Sequence, residues 1–233
     1  MSPLGAVLAA LLCGALGVLV PRLIAAVPEP DEPADDKQTY ADIGTRPGLA
    51  WQAMLICAVI GALVGGAVGP TWPLLFLVPL VPVGVALALI DWRTRLLPTR
   101  IIAPTYVVLV PLVVIAALAD GEPRMLLRAL IGWAVMGGIY VLLWLVHPAG
   151  MGYGDVRLSG ILGIVLGYLG WGELMLGAWS AFLLGGLGGL VLVALKVIDK
   201  KNNPFGPWML IGALIGIVAG PVFAVWMWGD LAA

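Results

Sequence analysis

Charge is scarce in this chain of 233 residues: 11% are Asp, Glu, Lys or Arg, against about 25% in a soluble domain. Hydrophobic residues make up 62%, and 32 more positions are glycine. A water-soluble fold of this size has too little interior to hide that much apolar surface. Soluble enzymes are therefore excluded, and a disordered chain is excluded by the same apolar excess. The net charge of −1 gives no basic footprint, so nucleic acid is not an expected partner. The single histidine, His147, rules out a histidine-cluster metal site. The two cysteines, Cys13 and Cys57, lie far apart within apolar runs, form no CxxC pair, and read as small buried apolar side chains. What is present is the composition of an integral membrane protein embedded in a lipid bilayer.

A membrane helix needs about 20 apolar residues to cross roughly 30 Å of hydrocarbon. Uncharged runs of that order occupy residues 4–20, 49–69, 72–90, 101–119, 129–146, 174–195 and 208–228. An eighth, 158–172, gives only about 22 Å of helix at a rise of about 1.5 Å per residue. None alternates polar and apolar residues as barrel strands do. The expected fold is all-α, a polytopic membrane helical bundle of eight transmembrane helices, or seven without the short run. No basic residue precedes the first run, and Arg22 follows it, the reverse of a cleaved secretory signal. The first span is therefore expected to stay as an anchor with its N-terminus outside.

Eight crossings from an outside N-terminus put Arg22, Lys37, Arg46, Arg93, Arg95, Arg100, Arg157, Lys196, Lys200 and Lys201 on the cytoplasmic side. Only Arg124 and Arg128 then face outward, as the positive-inside rule favours. Dropping the short run would move Lys196, Lys200 and Lys201 outside. Residues 28–48 are rich in Asp, Glu, Pro and Ala and read as a flexible acidic linker. The chain thus divides into an anchor helix plus linker, 1–48, and a membrane core, 49–233. Gly61, Gly65 and Gly69, and again Gly185 and Gly189, recur at four-residue spacing. Such faces allow close helix contact, within one chain or between two copies equally. Pro73, Pro79 and Pro82 are expected to bend the third span.

A carboxylate at a membrane boundary is costly and usually has a task. Of thirteen acidic residues, six belong to the linker, and Asp120, Glu122, Glu173, Asp199 and Asp230 read as solvated loop or tail positions. Asp91 and Asp155 remain. Asp91 ends the third span, ahead of Trp92-Arg93-Thr94-Arg95-Leu96-Leu97-Pro98, and Asp155 opens the short run, in Gly152-Tyr153-Gly154-Asp155-Val156-Arg157. The two spans between them form an out-and-back hairpin, so both carboxyls return to one membrane face. Two carboxyls within a few Å cannot both ionise readily, and a shared-proton pair suits activation of water against an amide. One takes the proton from water while its protonated partner polarises the carbonyl. Since the pair titrates as a unit, base and acid are not assigned to individual residues. The competing reading of each is a helix-end charge paired with Arg93 or Arg157.

These motifs resemble those of the type IV prepilin peptidases, intramembrane aspartic peptidases with a Gly-x-Gly-Asp motif. Gly152-Tyr153-Gly154-Asp155 is similar to that family's second aspartate motif, and Asp91 with Leu97-Pro98 to its first. Asn203-Pro204-Phe205-Gly206-Pro207 is similar to a third segment near the last span, so the resemblance covers roughly residues 50–228. It implies a peptidase of the bacterial cytoplasmic membrane that cuts the leader from prepilins or pseudopilins at the cytoplasmic face. Asp91 and Asp155 would be the catalytic pair, with no metal and no cofactor. Gly152 and Gly154 would shape the active-site loop. Pro204, Phe205, Gly206 and Pro207 would border the substrate groove or simply start a helix. Many family members carry a zinc-binding CxxC insertion after the first span and also N-methylate the new pilin terminus. This chain has no CxxC, which argues against methylation and resembles the short, peptidase-only branch serving Flp/Tad-type pili. The alternative from another class is a small proton- or cation-coupled transporter. Transport favours ionisable groups near the midplane, whereas these aspartates lie at the boundary.

Overall fold

The computed structural model describes residues 1–29, 38–148, 151–195 and 204–229, and these are predominantly helical, with no strand among them. Six of the described helices are long and apolar enough to cross a membrane: Leu49–Val68, Leu74–Thr94, Thr99–Asp120, Arg124–Val146, Trp171–Val191 and Gly206–Trp228. Two further apolar runs form shorter helices, Pro3–Gly17 of 15 residues and Tyr153–Leu169 of 17 residues. The chain is a polytopic membrane helical bundle that folds as two compact units, Met1–Asp120 and Gly121–Ala233.

The first unit holds six helices. They are α1 (Pro3–Gly17), α2 (Val20–Ala25), α3 (Tyr40–Gly44), α4 (Leu49–Val68), α5 (Leu74–Thr94) and α6 (Thr99–Asp120). Their ends follow local chemistry. Ser2 caps α1, its hydroxyl accepting from the Gly5 amide at 3.2 Å, and Pro3 takes the position where a missing N–H costs nothing. Left-handed Gly48 and positive-φ Gly69 bracket α4. Pro79 and Pro82 lie inside α5, where each removes one backbone donor, while Pro73 precedes its first turn.

Helix α1 packs on α4 with backbones in near contact. A Cβ on Gly61 would lie 2.5 Å from the Ala9 carbonyl oxygen, and one on Gly17 2.8 Å from that of Ala53. Gly5 and Gly65 face each other more closely still. In a membrane, where hydrocarbon gives helices no reason to exclude it, such van der Waals closeness drives association. Cys13 and Cys57 are buried free thiols, as expected of small apolar side chains.

Residues 38–48 correct the reading of 28–48 as a solvated linker. Thr39 caps α3, accepting from the Asp42 amide at 3.0 Å, and Tyr40 and Ile43 are buried. Glu29 Oε1 accepts from the Ala41 amide at 3.1 Å, so an acidic residue helps hold this turn. Asp31, Glu32, Asp35, Asp36 and Lys37 lie outside the described residues, as do Lys196, Asp199, Lys200, Lys201, Asn203 and Asp230.

The second unit holds α7 (Arg124–Val146), α8 (Tyr153–Leu169), α9 (Trp171–Leu183), a π-helical turn (Leu184–Gly188), α10 (Gly189–Ala194) and α11 (Gly206–Trp228). Helix α7 packs on α8 and α9 on α11, again through glycines. Gly132 faces Gly163 and Gly167, while Gly212 faces Gly177 and Ala181. Helix α8 is buried almost all round: from Asp155 to Tyr168 only Arg157 escapes burial. A helix clothed by protein on every side need not match the bilayer thickness, which accounts for its short length.

Glu173 departs from the expected solvated loop. It lies half-buried in the first turn of α9, where its charge and that of Arg128 act on each other. Arg128 reaches from α7 to the end of α8. Its Nε donates to the Gly167 carbonyl at 2.7 Å, and one Nη donates to those of Leu169, at 2.9 Å, and Tyr168. The last carbonyls of a helix find no amide further along it, so a cation from the neighbouring helix supplies the donors.

Candidate active site

Of the carboxylates in the described residues, only Asp91 and Asp155 are buried, with 4% and 7% of their surface exposed. Glu29, Asp42, Asp120, Glu122 and Glu173 all keep more contact with the outside. Burying a carboxyl among apolar helices is expensive without specific partners.

Asp91 lies in the last turn of α5, between buried Ile90 and Thr94. The turn is fastened below it. The Arg95 amide donates to the Asp91 carbonyl at 2.8 Å, with Arg95 in the left-handed region at φ 56°, and α5 stops there. Thr94 Oγ1 donates to the Ile90 carbonyl at 2.8 Å and accepts from the Leu96 amide at 3.3 Å. Tyr40 of α3 shares a side-chain hydrogen bond with Thr94, so the segment before α4 braces the turn that carries Asp91.

That brace depends on pH. Burial pushes the Tyr40 hydroxyl above its ordinary value near 10, the Glu29 carboxylate adds to the rise, and the Thr94 hydrogen bond opposes it. The fold favours the neutral phenol, so Tyr40's contribution is complete below about pH 10 and is lost as pH climbs through the raised value. The phenolate absorbance of wild type minus Tyr40→Phe should show one tyrosine titrating late. A difference curve centred on the ordinary value would contradict this.

Asp155 is the third residue of α8. Its Oδ2 accepts from the Gly152 amide at 3.1 Å, and its own amide donates to the Gly152 carbonyl at 3.0 Å. Glycine has no side chain to answer, so this is the acidic half of a capping box, which orients the carboxyl over the helix start. Gly152 precedes the helix with extended backbone, at φ −70° and ψ 142°. A Cβ there would lie 3.3 Å from Asp155 Oδ2, which gives this glycine a steric reason. Gly154 occupies the first turn and is half-buried. Between the glycines, Tyr153 is 48% exposed, its ring 5.1 Å from that of Trp144, with the Arg157 guanidinium 4.5 Å above it. This cation–aromatic stack fixes the mouth of α8.

Pro204, Phe205, Gly206 and Pro207 start α11, with Phe205 before its first turn and Pro207 within it. Pro204 and Gly206 are buried. Phe205 packs its ring 5.8 Å from Phe182 and 6.1 Å from Tyr140. Gly185, in the π turn, admits the Phe205 ring where a Cβ would collide with it. The four-residue glycine spacing at 185 and 189 thus serves an aromatic ring rather than another backbone at its first position.

Tyr140 is the residue that sequence reasoning passes over. It is wholly buried on α7, packs 5.2 Å from Phe182, and feels the charge of Asp155. Its signal in the sequence is faint: a single phenol inside an otherwise apolar run, six residues before the run ends.

Residues 78–225 match the model of the type IV leader peptidase family. The curated relatives carry the name prepilin leader peptidase/N-methyltransferase. The chain is 30% identical over 185 residues to the one from Pseudomonas putida, covering 75% of this chain and 57% of that relative. It is likewise 30% identical over 185 residues to that of Aeromonas salmonicida, covering 74% and 58%. With that of Escherichia coli it shares 29% over 136 residues, covering 56% and 57%. The chain therefore spans little more than half the length of these relatives. No solved structure matches it.

Proposed function

The chain belongs to the type IV leader peptidase family, and on that premise we propose that it is an intramembrane aspartic endopeptidase removing the leader from prepilins or prepilin-like proteins. The observation that carries the reading is the burial of two carboxylates, and only two, among the described acidic residues. Both stand in motifs that resemble the family's, Asp91 ahead of Leu97-Pro98 and Asp155 in Gly152-Tyr153-Gly154-Asp155.

In the proposed reaction the two carboxyls share one proton. The ionised member takes a proton from water, whose oxygen adds to the scissile carbonyl carbon. The protonated member polarises the carbonyl oxygen. The C–N bond then breaks, and the departing amine takes up a proton while the carboxyl pair returns to its starting state. Pro204, Phe205, Gly206 and Pro207 border the groove in which the substrate lies extended. The basic residues around the ends of α5 and α8, among them Arg93, Arg95, Arg100 and Arg157, favour the cytoplasmic side of the bacterial membrane for this chemistry. On this reading the leader of a prepilin-type substrate is cut on that side.

Peptidase activity alone is proposed, although the relatives' names also carry a methyltransferase. Residues 28–48 contain no cysteine, and the chain's two cysteines are buried in α1 and α4. The direct test is to express the chain in membranes with a prepilin from the same genome and follow leader loss by gel mobility. Mass analysis of the new terminus separates cleavage from methylation. A prepilin that keeps its leader at normal enzyme abundance would overturn the proposal.

Gly152 offers a sharper probe of the same reading. In Gly152→Ala the added Cβ presses on Asp155 Oδ2 from 3.3 Å, so the carboxyl must shift by a few tenths of an ångström. Catalytic geometry is sensitive on this scale, and cleavage should fall about tenfold. The helix start itself should lose no more than about 1 kcal/mol. Full activity in Gly152→Ala would show that Asp155's placement does not limit the reaction.

A further inference from the structure

Tyr140 carries a hydroxyl that the fold buries without using. Its side chain is 0% exposed, and its hydroxyl is the one buried side-chain polar atom lacking a hydrogen-bond partner among the described residues. The ring alone accounts for the packing: Phe182 at 5.2 Å and Phe205 at 6.1 Å would be met equally by phenylalanine. An orphaned buried hydroxyl costs about 1–3 kcal/mol, so phenylalanine would be the more stable choice if nothing ever reached the oxygen.

What lies near it points to a role. Asp155 is close enough for its charge to act on the Tyr140 hydroxyl, yet the two form no hydrogen bond. Phe205, which also packs against the Tyr140 ring, belongs to the segment proposed to border the substrate groove. Tyr140 also lies six residues before the end of α7, about 9 Å inside that helix end at a rise of about 1.5 Å per residue. The neighbouring side chains Phe182 and Phe205 carry no hydrogen-bond donor.

We propose that Tyr140 is a further catalytic residue, whose hydroxyl donates a hydrogen bond to the oxygen of the scissile carbonyl when the substrate lies between it and Asp155. The inference rests on the peptidase reading. As the water oxygen bonds to the carbonyl carbon, the C=O π pair moves onto the carbonyl oxygen, and the Tyr140 O–H strengthens its bond to that oxygen without transferring its proton. The hydrogen bond is stronger to the tetrahedral species than to the amide, so it lowers the barrier rather than merely tightening binding. When the C–N bond breaks and the carbonyl re-forms, Tyr140 returns to its initial state.

The test uses the full chain in detergent or membranes with a purified prepilin. Tyr140→Phe should lower kcat by about a hundredfold, leave KM within about twofold, and leave Tm unchanged or raise it. Phe182→Leu, which loosens the same ring cluster without touching the hydroxyl, gives the pattern of a packing defect for comparison. A difluorotyrosine at position 140, which keeps the hydroxyl as a stronger donor, should retain the turnover that Tyr140→Phe loses. Unchanged kcat in Tyr140→Phe overturns the proposal, as does a loss confined to KM. It is also overturned if the loss accompanies a fall in Tm like that of Phe182→Leu, or if the fluorinated phenol turns over no faster than Tyr140→Phe. Asp155→Asn separates the two levels. If it still cuts, the peptidase reading itself fails. If it is inactive while Tyr140→Phe is fully active, only the role of Tyr140 falls.

Discussion

Asp155→Asn and Asp91→Asn should each reduce prepilin cleavage at least about a thousandfold, at normal abundance and with little loss of stability. The separation of activity from folding follows from what each side chain does locally. The carboxamide of Asp155→Asn keeps an oxygen that can accept from the Gly152 amide, as Oδ2 does at 3.1 Å, so the start of α8 is still capped. At position 91 the backbone fastening is untouched, because the Arg95 amide bonds the main-chain carbonyl and Thr94 bonds Ile90. Neither amide can take a proton from water or share one with a partner carboxyl. Combining the two substitutions should cost no more than either alone, because residues that act as one device are not additive. Full activity in both single variants would remove the aspartic mechanism. Loss in one alone would mean that the other carboxylate is structural.

The helices are legible because hydrocarbon admits few alternatives: long uncharged runs must satisfy their backbone internally. Residues 49–69, for example, become Leu49–Val68, and 101–119 become Thr99–Asp120. Asp91 and Asp155 stand out for the same reason, since in a chain with so little charge a carboxyl at the end of an apolar run is conspicuous. What escapes the sequence is tertiary. Composition makes residues 28–48 look like a solvated connector, yet Tyr40 and Ile43 dock, because two apolar side chains on one helical turn suffice once a buried helix end is available. Glu173 looks like a loop residue until Arg128, from another helix, comes near enough for the two charges to interact. Tyr140 is hidden by its own ring, which any hydropathy reading counts as apolar. Only the packed structure shows that its oxygen is left without a partner.

Glycine placement on α7 and α8 yields a second large and opposite pair of effects. Gly163→Val should be severely destabilising, by about 3 kcal/mol or more, and should abolish cleavage as well. Its Cβ would collide with the Gly132 carbonyl oxygen and lie 2.9 Å from the Gly132 carbonyl carbon and 3.1 Å from Met136 Cβ. Backbone on a neighbouring helix cannot swing aside as a flexible side chain does, so α7 and α8 must separate. That motion carries Asp155 away from Tyr140, since each helix holds one of them. Gly137 and Gly138 lie on the same helix as Gly132, but a Cβ on either meets nothing within 4 Å. There the substitution to alanine removes only the conformational freedom of glycine in a helix, a gain of up to about 1 kcal/mol. The contrast is read by thermal unfolding of purified Gly163→Val, Gly137→Ala and Gly138→Ala, with cleavage measured on the same samples. Composition treats these three glycines alike, so a graded response across all of them would mean that helix propensity dominates. A collapse at 163 beside tolerance at 137 and 138 would mean that the closeness of α7 and α8 holds Asp155 in place.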